Sequence, residues 1–233
     1  MLQVNDLYVG YYADLHILRG LTITAEKGKL TTILGANGVG KSTLLKAIYG
    51  FLKPQAGEIL LDGKNVMGTP THKLIDLGIS YIPQHPGVFR YMSVDENLMM
   101  GAWTFRDDRA RMEQKIEENY QRFPILREKR KENAGNLSGG QQRMVEIART
   151  LMTDPRLILI DEPTAGLAKL LSAEVYRMLV DLRDKDGLTI VLVDQEIRQA
   201  LKIADYVYVL ELGRNKFEGP VEDFTDLEKA FWS

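Results

Sequence analysis

Three short stretches carry residue types that can do chemistry. The first, "GANGVGKST" from Gly35 to Thr43, has the pattern G-x-x-x-x-G-K-[ST], between a strand-like segment and a helical one. Glycines let the backbone wrap so that its N–H groups point inward, and the start of the following helix adds about half a positive charge. Asn37, Gly38, Gly40 and Thr43 belong to this phosphate cradle, Lys41 reaches the outer phosphates, and the Ser42 hydroxyl suits Mg²⁺. The second stretch, "RLILIDEP", ends an apolar run on Asp161 and Glu162. Asp161 is placed to meet a metal shell, and Glu162, one residue on, to accept a proton from an attacking water.

The third stretch is "NLSGGQQRMVEIARTLM", in which Ser138 and two glycines open an amphipathic helix and make another set of free N–H groups suited to phosphate. One chain therefore has two phosphate-binding helix starts and a single metal-binding strand end. The economical arrangement sandwiches nucleotide between two copies, each lending its Ser-Gly-Gly turn to the other's cradle, as two-fold symmetry allows.

The elements that must position these residues read as an α/β sheet. "KLTTILG", "GISYIPQ", "RLILIDEP" and "GLTIVLVDQ" are strand-like, rich in Ile, Leu and Val and bounded by Gly or Pro. Between them run the helical stretches "KSTLLKAIYGF", "GGQQRMVEIARTLM" and "KLLSAEVYRMLVDLRDK", the second placing Met144, Ile147, Ala148, Leu151 and Met152 on one face. The alternation predicts helices on both sides of a sheet. Two parts depart from it: the first 33 residues with "GEILLDG" read as antiparallel strands, and "YVYVLELGRNKFEG" reads as a hairpin turning at Gly213 to Asn215. Residues 87–154 read as mostly helical, with "RDDRARMEQKIEENYQRF" as a solvated face. The expectation is one domain, 1–233, with 1–86 and 155–233 as the nucleotide-binding core and 87–154 as an inserted helical subdomain.

Charge and composition exclude other classes. The 30 Lys and Arg against 32 Asp and Glu leave a net charge of −2, which makes no electrostatic case for nucleic acid. With no cysteine there is no disulfide framework, thiol nucleophile or thiolate metal site, and a reducing cytoplasm fits. The opening "MLQVNDLYVGYY" lacks the positive start and apolar run of a secretion signal, and no apolar run spans a bilayer, so a membrane role is expected through a partner.

With these motifs in place the chain resembles the ATP-binding subunit of ABC transporters. "LSGGQ", Leu137 to Gln141, matches that family's signature, and Tyr12, the Gly35–Thr43 loop, Gln84 in "YIPQ", the signature and Asp161-Glu162 follow in the family's order over essentially the whole chain. The resemblance is closer still to the branched-chain amino-acid transport ATPases of the LivF type, through "AGNLSGGQQ", "GLA" after the Asp-Glu strand and an acidic-Gln strand end. It implies a P-loop NTPase core with an N-terminal antiparallel β subdomain and an inserted α-helical subdomain. It implies ATP and Mg²⁺, the metal held by Ser42, Gln84 and Asp161. Tyr12 would stack on the base, Gly38, Gly40, Lys41, Ser42 and Thr43 would hold phosphates and metal, and Gln84 would sense metal and water and link to the membrane subunit. Ser138, Gly140 and Gln141 would act across a dimer, and Glu162 would polarise water. The implied partners are a second ABC ATPase subunit, identical or not, integral-membrane permease subunits and, indirectly, a substrate-binding protein, with no nucleic acid. The implied place is the inner face of the cell membrane, and Phe89, Tyr91, Met92, Met99 and Met100 are either core or a docking surface for the membrane partner.

Two positions depart from the general family pattern. Ala168 stands where an aspartate usually follows "GL", and Gln195 where a histidine usually follows the next strand. Gln195 retains a donor for a γ-phosphate oxygen but cannot change charge near pH 7. Lysine and metal carry the main charge stabilisation in phosphoryl transfer, so hydrolysis is expected to be tuned and retained. The alternatives are an ATP-binding switch of the same family with little hydrolysis, or a soluble ABC ATPase of DNA repair or translation, which typically has coiled coils or two cassettes. A P-loop kinase or GTPase leaves "LSGGQ" unexplained.

Overall fold

A computed structural model describes residues 1–12 and 15–224, the side chain of Tyr12 excepted. In chain order its strands and helices are β1 (Leu2–Tyr12), β2 (Leu15–Ala25), β3 (Leu30–Leu34), α1 (Lys41–Ile48), β4 (Ala56–Leu61), β5 (Lys64–Asn65), α2 (Thr71–Asp76) and β6 (Ile79–Ile82). They continue with α3 (Val94–Gly101), α4 (Arg109–Arg122), α5 (Pro124–Glu128), α6 (Gly139–Leu151) and β7 (Leu157–Asp161). The last are α7 (Lys169–Asp186), β8 (Thr189–Val193), α8 (Ile197–Ile203), β9 (Tyr206–Glu211) and β10 (Arg214–Pro220). Contacts divide the chain into two units, Met1–Tyr81 with Arg156–Glu162 and Met178–Ser233, and Ile82–Pro155 with Pro163–Arg177.

In the first unit one sheet has the order β10-β9-β3-β8-β7-β6 and a second the order β2-β1-β4-β5. β3 pairs in parallel with both β8 and β9, and β7 in parallel with β8, whereas β1 pairs antiparallel with β2 and β4. Every residue of β3, β7 and β8 is buried, which their apolar runs on both faces require. Leu157, Leu159, Val191 and Val193 pack in one core with Ile33, with Leu44, Leu45 and Ile48 of α1, and with Leu2 and Val4 of β1. The alternate residues Ile158, Ile160, Ile190 and Leu192 are buried on the opposite face. The strands thus deliver their C-terminal ends, at Leu34, Asp161 and Val193, to neighbouring positions. The β9–β10 hairpin turns at Leu212 and Gly213, with φ of 49° and 79°, and Arg214 and Asn215 already lie in β10. That corrects the turn expected at Gly213 to Asn215: a two-residue hairpin needs two left-handed residues, and here a leucine supplies the first.

Within the second unit, residues 87–154 carry the helices α3, α4, α5 and α6. Ser93 and Glu96 close a capping box at the start of α3. The charged run becomes α4, solvated except at the buried Asn119 and Tyr120. On α6 the buried face carries Ile147, Ala148 and Leu151, with Met152 buried just beyond it, but Met144 is only half-buried. The helix is rotated so that Arg143, Val145 and Glu146 go inside, a polar pair that hydrophobic periodicity alone does not reveal. Among the described residues no helix is long and apolar enough to cross a membrane.

Candidate functional site

The loop after β3 takes its shape from glycine. Gly38 has φ 82° and Gly40 φ 110°, and a Cβ on Gly40 would stand 2.5 Å from Leu18 Cδ2. Gly40 is the N-cap of α1, and no side chain hydrogen-bonds to the backbone N–H groups of that helix start as a cap. Lys41 is buried, and its Nζ donates to the carbonyls of Gly35 at 2.7 Å and Ala36 at 3.1 Å. Burial pushes its pKa down, while Glu162, Asp161 and Asp194 pull it back up. Thr43 is buried beside it, and Asn37 and Gly38 are exposed.

Asp161, at the C-terminal end of β7, is buried and accepts from Ser42 Oγ at 2.9 Å and from Tyr81 Oη at 3.3 Å. Burial raises its pKa, partly offset by the Ser42 hydroxyl, and the neighbouring Glu162 raises it further. One hydroxyl and one carboxylate in contact form a hard-oxygen set, which fits Mg²⁺ that takes its remaining ligands from phosphate and water. Among the described residues no group of three or more Asp, Glu or His is arranged to hold a metal by itself. Glu162 follows in a left-handed conformation, φ 44°, held by its N–H donating to Val193 O at 2.8 Å. A non-glycine residue in that region is strained, and the strain turns the carboxylate out of the strand direction.

Gln195, exposed after β8, donates from Nε2 to Glu162 Oε2. Asp194, almost fully buried, braces this turn by accepting from the N–H groups of Gln195 at 2.7 Å and Glu196 at 2.9 Å. The structure therefore brings Lys41, Ser42, Asp161, Glu162 and Gln195 together, and it ties Gln195 to the acid where the sequence points it at phosphate. Gly35, Ala36, Asn37 and Gln195 also line one open cavity of about 430 Å³, together with Leu201, Val209 and Leu210. Asp194 and Tyr81 were not foreseen. Asp194 carries the same signal as Asp161, an acid ending an apolar strand, whereas Tyr81 is one more strand aromatic with no distinguishing mark.

Three predicted residues lie at the start of α6 in the second unit. Ser138 Oγ accepts from Gln141 N at 3.3 Å, and Gln141 Oε1 accepts from Ser138 N at 3.2 Å, a capping box that sets the two side chains across the helix start. Gly140 is buried, and a Cβ there would meet Leu171 Cδ2 at 3.1 Å. Gln84, half-buried in the irregular segment after β6, has its backbone carbonyl held by Arg143. Tyr12 ends β1, and its side chain lies outside the described residues.

A cradle before a helix, a Ser–Asp contact and a strained glutamate recur in many nucleotide enzymes, so family membership needs more than geometry. Residues 18–165 match the family model described as ABC transporter. The chain belongs to the ABC transporter family. In that family it is an ATP-binding cassette with ATPase chemistry. It is 37% identical, over 98% of this chain and 96% of the relative, to the "Probable branched-chain amino acid transport ATP-binding protein LivF" of Archaeoglobus fulgidus. It is 39% identical, over 88% and 86%, to the "High-affinity branched-chain amino acid transport ATP-binding protein BraG" of Pseudomonas aeruginosa. The "Lipopolysaccharide export system ATP-binding protein LptB" of Acidithiobacillus ferridurans is 32% identical over 97% and 92%. Among solved structures, an ATP-binding cassette of an ABC transporter in its ADP conformation superposes with a TM-score of 0.87 at 30% identity, over 98% of this cassette and 94% of that chain.

Proposed function

We propose that this cassette binds and hydrolyses ATP with Mg²⁺, dimerises on ATP, and powers a separate membrane permease that imports branched-chain or similar amino acids. It works as a single ATPase domain at the inner face of the membrane. The observation that carries the reading is the contact of Ser42 with Asp161 beside a Glu162 aimed by strain and by Gln195. Lys41 and the inward N–H groups around Gly38, Gly40 and Thr43 bind phosphates. Ser42 and Asp161 would hold Mg²⁺, which would supply charge neutralisation at the phosphates, and the family resemblance assigns Gln84 the role of sensing it. Glu162 accepts the proton of the attacking water, and Tyr12 stacks on the base. Ser138, Gly140 and Gln141 face the cradle of a second ABC ATPase subunit, identical or homologous.

The Glu162→Gln variant tests the chemistry. A general base is worth about 10²–10⁴-fold, so phosphate release should fall by that order while ATP binding persists and a dimer accumulates in size-exclusion chromatography. Hydrolysis at the parent rate removes Glu162 from the role. The transported class rests on the two branched-chain relatives and is tested separately by purifying the cassette with its membrane partner. ATPase activity stimulated by an amino-acid permease supports it, and a lipopolysaccharide exporter as partner overturns it.

A further inference from the structure

We propose that Arg143 is a positioning residue for hydrolysis: from α6 its guanidinium grips the backbone at Pro83 and Gln84 and so fixes where the Gln84 side chain can reach. Arg143 is 1% exposed. Its Nη1 donates to Pro83 O at 2.8 Å and to Glu146 Oε2 at 2.6 Å, and its Nη2 donates to Gln84 O. Glu146, equally buried, uses its other oxygen to accept the N–H of Gly87 at 2.7 Å. One ion pair on α6 thus ties down both ends of the turn that carries Gln84, which has no regular secondary structure to hold it. Gly87 belongs to the device, because a Cβ there would stand 3.1 Å from Glu146 Oε1.

The residue types fit positioning better than packing. Two apolar side chains of similar volume generally hold a helical core at least as well as a buried ion pair, so an ion pair spent on backbone carbonyls specifies a conformation. Arg143 Nε is buried without a partner, so the fork is aimed at the carbonyls at the expense of its own third donor. Lysine, a single point charge, can keep Glu146 but cannot span two carbonyls. Arg143 lies on the helix that Ser138 opens, so the signature turn and the Gln84 turn are braced by one element.

The proposal rests on the reading that Gln84 serves the nucleotide site, so Gln84→Ala is measured alongside. Arg143→Lys should lower kcat by about 10- to 100-fold, the cost of a small misplacement, with KM for ATP changed about two-fold or less. The Mg²⁺ concentration for half-maximal rate should shift in the same direction as in Gln84→Ala. The double variant should be no slower than Gln84→Ala alone, since both act through one side chain. Arg143→Met with Glu146→Leu removes the buried pair as a unit; joined to Arg149→Met, because Arg149 faces Glu146, it should stay folded by melting temperature and show the same kcat loss. A parent rate in Arg143→Lys or in the apolar triple variant, or losses that multiply in the double variant, overturns the proposal. A slow Gln84→Ala beside a parent-rate Arg143→Lys removes the proposal alone. A parent-rate Gln84→Ala removes the underlying reading and the proposal with it.

Discussion

Glu162 and Gln195 form a pair whose members arrive from the ends of neighbouring parallel strands, β7 and β8. The amide orients the carboxylate without competing for its proton, because glutamine does not titrate. Gln195→Ala should therefore slow hydrolysis less than Glu162→Gln and leave the Kd for ATP nearly unchanged; an unaltered rate would show that the amide does not orient the acid. Gln195→His should add an ionisation to the pH–rate profile, displaced above the free imidazole value of about 6.5 because the Glu162 carboxylate favours imidazolium. Asp161 makes a different pH prediction. Its folded pKa is raised above 3.8, so the native state binds more protons than the unfolded state as pH rises through that window, and ionising the buried acid costs stability. Asp161→Asn removes that cost. The melting-temperature difference, variant minus parent, should grow from pH 4 to pH 7 in nucleotide-free protein, while the variant loses hydrolysis.

At the scale of elements, two helix starts are built by opposite means. α1 opens on the left-handed Gly40 with no side-chain cap, whereas α6 opens on Ser138 in a closed capping box. Ser138→Ala should cost about 0.5–2 kcal/mol of stability by calorimetry, and Ser138→Thr, which keeps the cap, should recover most of it. Slow hydrolysis in Ser138→Thr with stability restored would separate a role toward nucleotide from the cap. The apolar runs of β3, β7 and β8, and the loop and helix of Gly35–Ile48, were legible because strand burial on both faces and a left-handed N-cap leave sequence marks. The β9–β10 turn and the buried face of α6 were not. Leu212 carries no turn signal, and Arg143 and Glu146 look like solvent residues until the 83–87 turn that pairs with them is in place.

For the whole molecule, the cassette's two helix starts belong to different units, that of α1 to the first and that of α6 to the second. Adding ATP and Mg²⁺ to Glu162→Gln should raise its melting temperature progressively with nucleotide concentration and with protein concentration, since dimer formation adds to ligand linkage. A rise that ignores protein concentration would show binding without dimerisation. The sequence by itself determined the family, the glycine loop that opens α1, the acid pair at the end of β7 and the α/β architecture, because motif spacing and hydrophobic period are local properties of the chain. Only the tertiary structure decided that Gln195 bonds Glu162, that Tyr81 and Asp194 support the site, and that Arg143 holds the Gln84 turn. The bonds of Gln195 to Glu162, Tyr81 to Asp161 and Arg143 to the Gln84 carbonyl each join residues many positions apart, and which donor meets which acceptor depends on strand order and helix rotation, which local pattern does not encode.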